Sequence, residues 1–497
     1  MTVPFANIPQ QVRVPLFYAE MDNSRANGAV SGVRRALAIG QKLVGGTAAV
    51  NVPVIVSTVA QAIAFFGRGS QLARMVKAYR DNDNFGELWC IPVAEGTSSV
   101  AATGTVTAVG TATSTGVIAL YIAGQRIQVP VLLGDTAAVV AASIVTAITA
   151  NTDLPVTAAA AAGVVTLTAK WKGLTGNDIT MVDSFAGSAG SEALPGGITL
   201  SYSGATLASG AVNPALAPVI SAMGDEEYDF IFHPFTDSTS LDTIGAELND
   251  TTGRWSWSRQ LYGHVYTALR GSLGALVTAG GLRNDQHHTI AAIDVDCPNP
   301  SWEYAAAYAA RNAVFLNADP ARTVQTGVLT GLLVPRAGKR FLFAERQSLL
   351  NYGVATSYVS GGILRVERAI TTYQKNAFNQ ADDSYLDSET LQLSAYVLRR
   401  LRSIITSKYP RHKLANDGTR FAAGSAIITP AVARGEIVAD YAKMEFQGYV
   451  ENSAMFAANL IVERNATDPN RLDVLFTPDY INNLRVFAVL NQFRLQY

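Results

Sequence analysis

Val52-Pro53-Val54-Ile55-Val56 and Glu87-Leu88-Trp89-Cys90-Ile91-Pro92-Val93 are two short apolar runs, and the residues between them change period. Residues 58–66 and 70–79 each set their apolar side chains on one stripe, the spacing of an amphipathic helix. Strands alternating with helices predict a layered α/β sheet. The pattern resumes at Tyr228-Asp229-Phe230-Ile231-Phe232-His233-Pro234-Phe235, an apolar strand entering a loop. Beyond it, helices are expected over 238–249 and 258–272, strands over 274–278 and 289–295, and an Ala-rich helix over 300–316.

Between these two stretches the composition changes. From about Gly96 to Leu200 the chain is rich in Ala, Thr, Gly and Val and nearly free of charge. Strands are expected over 103–109, 117–123, 126–132 and 164–170, with Gly124-Gln125 as a hairpin turn. One helix is expected over 136–149, with Asp135 as its N-cap. This reads as a mostly-β domain inserted into the α/β core, so that residues 26–95 and 201–375 form one discontinuous domain around residues 96–200.

Residues 376–497 read as an α+β domain. A helix is expected over 388–407, with Leu391, Ala395, Leu398, Leu401 and Ile405 on one face. Thr429-Pro430 marks a second helix start, and strands over 459–464 and 471–476 flank a hairpin link at 466–470. The two ends of the chain carry period-two patterns. Residues 1–25 read as an extended arm in which Val12, Val14 and Leu16 alternate with Gln11, Arg13 and Pro15. At the other end Val486, Ala488 and Leu490 alternate with Phe487, Val489 and Asn491, and Phe493 and Leu495 continue the pattern. A terminal strand frays unless a sheet edge holds it. If that edge belongs to another copy, the contact is head-to-tail and generates rings or helical filaments.

The totals bound the rest. A chain of 497 residues with 48% apolar and 15% charged residues is expected to fold into several soluble domains with weak self-repulsion. A net charge of −1 shows none of the basic excess that phosphate-dominated nucleic-acid binding needs. Cys90 and Cys297 form no CxxC pair, so neither a disulfide framework nor a zinc site is expected, and synthesis in a reducing cytoplasm fits. No secretory leader or membrane span is read.

Chemistry finds little support. Gly96-Thr97-Ser98-Ser99 looks superficially like the turn around a subtilisin nucleophile, yet every histidine follows Ser98, the reverse of the order that site needs. His287-His288 with Asp285 and Asp294 could be pictured as metal ligands, but neighbouring strand residues point to opposite faces, and a solvated loop is expected. Gly67-Arg68-Gly69-Ser70 and Ala337-Gly338-Lys339-Arg340 lack phosphate-loop spacing. No catalytic residue, cofactor or metal is therefore expected. The one marked basic cluster is Arg399, Arg400, Arg402, Lys408, Arg411, His412 and Lys413, read first as a solvated helix face, then as a contact for an acidic protein partner, and last, for want of interleaved aromatics, as one for nucleic acid.

Several stretches resemble the contractile tail sheath proteins of Mu-like bacteriophages. They are Asn299-Pro300-Ser301-Trp302-Glu303, Glu367-Arg368-Ala369-Ile370-Thr371-Thr372-Tyr373, Asp383-Ser384-Tyr385-Leu386-Asp387, Asp417-Gly418-Thr419-Arg420-Phe421, Val462-Glu463-Arg464-Asn465 and Phe493-Arg494-Leu495-Gln496-Tyr497. The start, Ile8-Pro9 followed by Val12-Arg13-Val14-Pro15, is similar too. The resemblance implies a subtilisin-like α/β core without a protease site, an outward insertion, and an inner C-terminal domain facing a tail tube. It implies strand exchange between subunits through Val12, Val14, Leu16, Val486, Ala488, Leu490, Phe493 and Leu495, and a tube contact at Arg399, Arg400 and Arg402. The partners it implies are further copies in a helical homopolymer of stacked hexameric rings, a tube protein, and baseplate and terminator proteins. The sheath of a headless contractile device (a tailocin or type VI-like machine) would read the same. A serine hydrolase and a closed capsid shell are the readings from other classes.

Overall fold

The computed structural model describes residues 34–422 and 424–496; the expected arm with Val12, Val14 and Leu16 lies outside them. The chain enters through β1 (Arg35–Gln41), β2 (Val54–Ile55), α1 (Val59–Phe66), α2 (Gln71–Arg80) and β3 (Glu87–Val93). It then builds β4 (Ala101–Gly110), β5 (Gly116–Ile122), β6 (Gln125–Val131), α3 (Ala137–Ala150), β7 (Val156–Ala161), β8 (Val164–Lys172), β9 (Met181–Asp183) and β10 (Ile198–Tyr202). It returns through α4 (Ala217–Met223), β11 (Phe230–Phe232), α5 (Ser238–Leu248), β12 (His264–Arg270), α6 (Leu273–Gly281), β13 (His288–Ile293) and α7 (Ser301–Ala318). After these come α8 (Phe343–Asn351) and the hairpin β14 (Thr356–Ser360)–β15 (Ile363–Arg368).

The central sheet has the order β13-β12-β11-β1-β3-β2, parallel except for β2. Strand β1 pairs on one side with β3 and on the other with β11, which follows β10 in sequence. Ala36 and Ala38 point toward α2 and α7, while Leu37 and Ile39 pack with α4 and α5. Both faces are thus covered, as a parallel sheet requires. The alanines of α7, Ala305 to Ala307, Ala309 and Ala310, are all buried and let that helix lie close on the sheet.

Strands β4 to β10 make two antiparallel sheets, β10-β4-β8-β7 and β6-β5-β9, with α3 against them. The β5–β6 turn is tight: Ala123 and Gly124 have φ of 49° and 74°, the twin positive values of a two-residue hairpin. A Cβ on Gly124 would stand 2.6 Å from Asn299 Nδ2, so the hairpin tip touches the start of α7. Three further contacts tie these sheets to the core. Arg74 of α2 donates to the carbonyls of Ala123 (2.9 Å) and Asp153 (3.1 Å) and pairs with Glu303 (2.5 Å). Asp178 pairs with Arg270 at 2.6 Å and accepts from the amide of Ser301 at the start of α7. Trp171 meets Trp302 edge-on at 5.3 Å.

The structure departs from the expected elements at definite places. Residues 258–272 are not a helix: β12 occupies 264–270, after a turn-rich approach. Residues 274–278 are not a strand but lie inside α6, which Ser272 caps by accepting from Ala275 N. Strand β12 escapes a period test because His264 to Ala268 are all buried, with no alternation to read. Two of its polar side chains are paired sideways, His264 Nε2 with Thr289 Oγ1 at 2.8 Å and Thr267 Oγ1 with His288 Nε2 at 3.0 Å. The cap of α3 is Thr136, not Asp135, whose carboxylate accepts from Leu132 N at 2.7 Å. Among the described residues no helix is long and apolar enough to cross a membrane.

The Asp178 contact makes a test. Asp178→Ala leaves Arg270 buried without its partner, a loss expected to cost about 3–5 kcal/mol, read as a lower urea midpoint. Protease cutting should rise on either side of residues 96–200.

Candidate assembly surfaces

The last part of the chain comprises α9 (Ser388–Lys408), β16 (Lys413–Leu414), β17 (Ile427–Ile428), α10 (Pro430–Phe446), α11 (Ser453–Asn459), β18 (Ile461–Arg464) and β19 (Leu472–Leu475). Thr429 caps α10 by accepting from Val432 N, and Pro430 takes the first helical position, where its missing N–H costs nothing. Leu393 and Val397 of α9 pack on Ile437, Tyr441 and Met444 of α10. Tyr441 stacks on Phe456 with ring centroids 3.7 Å apart, and its hydroxyl donates to Glu451 O at 2.9 Å.

On this base sits a sheet of only two strands, β18 and β19. Two strands alone rarely sustain a sheet, and here Ile461 and Leu475 are half exposed. The final segment, expected as a strand, forms none within the single chain. Instead Val486 (79%), Leu490 (83%), Phe493 (74%) and Leu495 (91%) stand in solvent, together with Leu484, Phe487 and Val489. Ala488 is exposed as well. Among the described residues, then, the last sheet has two strands and no further strand paired to it, and the apolar segment that follows it in sequence joins no strand.

The basic cluster divides. Arg399 pairs with Asp229 and, at 3.3 Å, with Glu227, and lies over the ring of Tyr262. Arg400 holds Asp440 through two bonds of 2.8 Å and donates to Gln447. These two arginines join α9 to the core and to α10 and do not face outward. Arg402, Lys408, Arg411 and Lys413 are exposed, as is Arg420, and of these Lys408 is paired, with Glu436. The α9 stripe also differs from expectation. Leu391 and Ala395 are buried, whereas Leu398, Leu401 and Ile405 border a shallow groove with Tyr262 and the exposed Trp257.

His287 and His288 do not lie in a solvated loop. Both are 1% exposed, and His233 and His264 are fully buried. His287 stacks on Trp255 and bonds to Asp250 at 2.7 Å; His288 opens β13. Their polar partners are Thr, Asp and backbone groups, and among the described residues no serine hydroxyl bonds to a histidine. Ser98 sits in a turn with φ of 64°. Gly67 and Gly69 shape an ordinary turn into α2, where a Cβ on Gly69 would meet the carbonyl of Leu154 at 2.6 Å. No group of three or more metal-ligating side chains occurs among the described residues.

Comparison with known proteins gives three adjoining matches to family models. Residues 97–199 match the phage tail sheath protein beta-sandwich domain, 209–372 its central domain, and 380–494 the phage tail sheath C-terminal domain. Over 498 aligned residues, covering 100% of both chains, the sequence is 41% identical to the Mu-like prophage FluMu tail sheath protein of Haemophilus influenzae. Among solved structures, a chain of the anti-feeding prophage baseplate aligns with 98% of this chain and 100% of its own at a TM-score of 0.50 and 11% identity. The sheath tail protein of Desulfitobacterium hafniense aligns over 94% and 100% at a TM-score of 0.48 and 13% identity.

The buried histidines supply a measurement that needs no partner. Burial pushes His233 from its usual 6.5 down to about 4, and holds His264 and His288 well below the usual value too. The unfolded chain takes up protons below pH 6.5 that the folded chain refuses, so stability falls as the solution is acidified. From pH 6.5 to 5 the His233 contribution is about 2 kcal/mol. The melting temperature should fall over that range, and His233→Gln should shrink the fall.

Proposed function

The chain belongs to the phage tail sheath family, and from that membership we propose that its copies are linked by shared backbone edges. It is a structural subunit of a contractile tail sheath, a component of the virion tail. In the proposed assembly Val486, Ala488, Leu490, Phe493 and Leu495 of one copy add a strand to the β18–β19 sheet of a neighbour, and Val12, Val14 and Leu16 add another from a second neighbour. The observation that carries this reading is the exposed apolar segment from Leu484 to Leu495, beside a last sheet that has two strands among the described residues. Strand addition would pair the open backbone groups and bury alternate side chains in one step.

The proposed array is a helical stack of hexameric rings around a tail tube, ending at a baseplate and a terminator, built in the host cytoplasm. The mixed α/β core serves as its subtilisin-like rigid body, without a protease site. Residues 96–200 face outward and residues 376–497 face inward. Arg399 and Arg400 are occupied by internal pairs, so the exposed Arg402, Arg411, Lys413 and Arg420 are the better candidates for a tube surface that carries acidic groups. Contraction is then a bistable change of packing between rigid bodies that the shared strands keep connected. The stroke drives the tube through the host envelope. The same subunit would serve a headless device; the full-length likeness to a Mu-like prophage sheath favours the phage tail.

Two experiments check this. Negative-stain microscopy of the purified chain should show hollow rods or rings, and deleting residues 486–497 should leave a folded monomer that makes none. Rods of normal length from the deletion would refute strand sharing. Separately, Arg402→Glu with Arg411→Glu should leave tubeless rods intact and reduce co-assembly with tail tubes by about tenfold or more; unchanged co-assembly would move the tube contact elsewhere.

A further inference from the structure

Arg485 is the last residue of the described chain that is held by the rest of the molecule through side-chain hydrogen bonds or ion pairs. Immediately after it comes the exposed segment that begins at Val486. Its side chain is only 14% exposed and reaches three acceptors from two parts of the fold. One nitrogen donates to Thr323 Oγ1, in the loop after α7. The other stands 3.2 Å from both Asp387 and Glu389 at the start of α9.

These carboxylates are not ordinary surface groups. Glu389 is 1% exposed, and one of its oxygens accepts from Val324 N at 3.2 Å, from the same loop as Thr323. Burial raises the Glu389 carboxyl above its usual range. Asp387 is shared: Arg368, at the end of β15, holds it through bonds of 2.8 and 2.9 Å. The result is a chain of charges, Arg368–Asp387–Arg485–Glu389, spanning the core, the first turn of α9 and the root of the terminal segment. A lone Glu389 would be a buried carboxylate without a cation, so the pocket strongly requires the guanidinium at this spot. Upstream, Ile481 N donates to Tyr449 O, which leaves only a few residues between two fixed points.

We infer that Arg485 is a positioning residue for assembly, fixing where and in which direction the terminal segment leaves the subunit. This rests on the strand-sharing reading above and adds a specific residue to it. A segment anchored at its root searches less space than one tethered loosely, so less ordering cost opposes its docking in a neighbouring sheet. The anchor straddles the junction of the core and α9. The exit direction therefore follows the core and does not drift with the β18–β19 sheet.

The test separates folding from positioning. Arg485→Ala alone exposes the buried Glu389 charge and is expected to lower the melting temperature. The double variant Arg485→Ala with Glu389→Gln removes both charges of that pair and should recover most of the loss. Assembled from the double variant, rods should need at least about tenfold more protein than wild type, or fail to form, although the monomer is folded. Rods at the wild-type concentration from a folded double variant would overturn the inference. The deletion of residues 486–497 run beside it reports on the underlying reading: if that deletion assembles normally, strand sharing itself is wrong. Should the double variant not fold, wild-type monomer under brief trypsin decides. The bond after Arg494 should be cut well before the bond after Arg485; equal cutting overturns the anchor.

Discussion

Strand β1 is the piece on which the molecule is assembled, because it is paired along both edges by strands that lie far apart in the chain. Arg35 to Gln41 run in register with Glu87 to Val93 on one side, and Ala36 to Ala38 with Phe230 to Phe232 on the other. Every backbone group buried there must find a partner, and the second partner arrives only after the chain has passed through β4 to β10. The central sheet cannot be completed until that excursion has returned. This long-range closure carries a loop-entropy cost, which the two apolar layers above and below β1 must offset.

The excursion is fastened where it returns. Asp178 supplies a carboxylate to the start of α7 and to Arg270, at the carboxyl end of β12. In an open α/β sheet that edge is where ligands usually bind. Here the chain's own side chain occupies it, and Arg74 with Glu303 makes a second buried ion pair nearby. Buried pairs add little net stability but penalise every arrangement that leaves one member alone. That is a suitable property for a part that must keep one orientation in every copy.

Much of this was legible in the residues. Glu87 to Val93 read as a strand because it is a bounded apolar run, and it is one. The start of α10 was marked by Thr429-Pro430, and Thr429 accepts from the backbone three residues on, as Thr58 and Ser70 do at the starts of α1 and α2. The misreadings share a cause. In β12 the pairing of His264 and Thr267 with the neighbouring strand makes polar residues compatible with full burial, and α6, with its three glycines, offers little helical propensity to set against it. The same blindness placed His287 and His288 in solvent. For Arg399 and Arg400 the run of cations shows charge, but their acidic partners Asp229 and Asp440 come from other parts of the chain, where no local pattern announces them. Arg485 carried no signal at all, since its meaning comes from Glu389 and Thr323.

The terminal segment raises the question of how tightly neighbours in the proposed lattice should hold. Burying large apolar side chains that share one face of the strand, such as Phe487, Val489, Phe493 and Leu495, gains about 1.5–3 kcal/mol each. Ordering the backbone opposes this at about 1–2 kcal/mol per residue. The two are of the same size, so a single shared strand is close to neutral. Whatever reduces the ordering cost then decides whether subunits link, and the cheapest reduction is to fix the root of the segment in advance. A near-neutral link that becomes favourable only among many ordered neighbours keeps lone subunits soluble. It also lets a lattice persist while its rigid bodies exchange one packing for another.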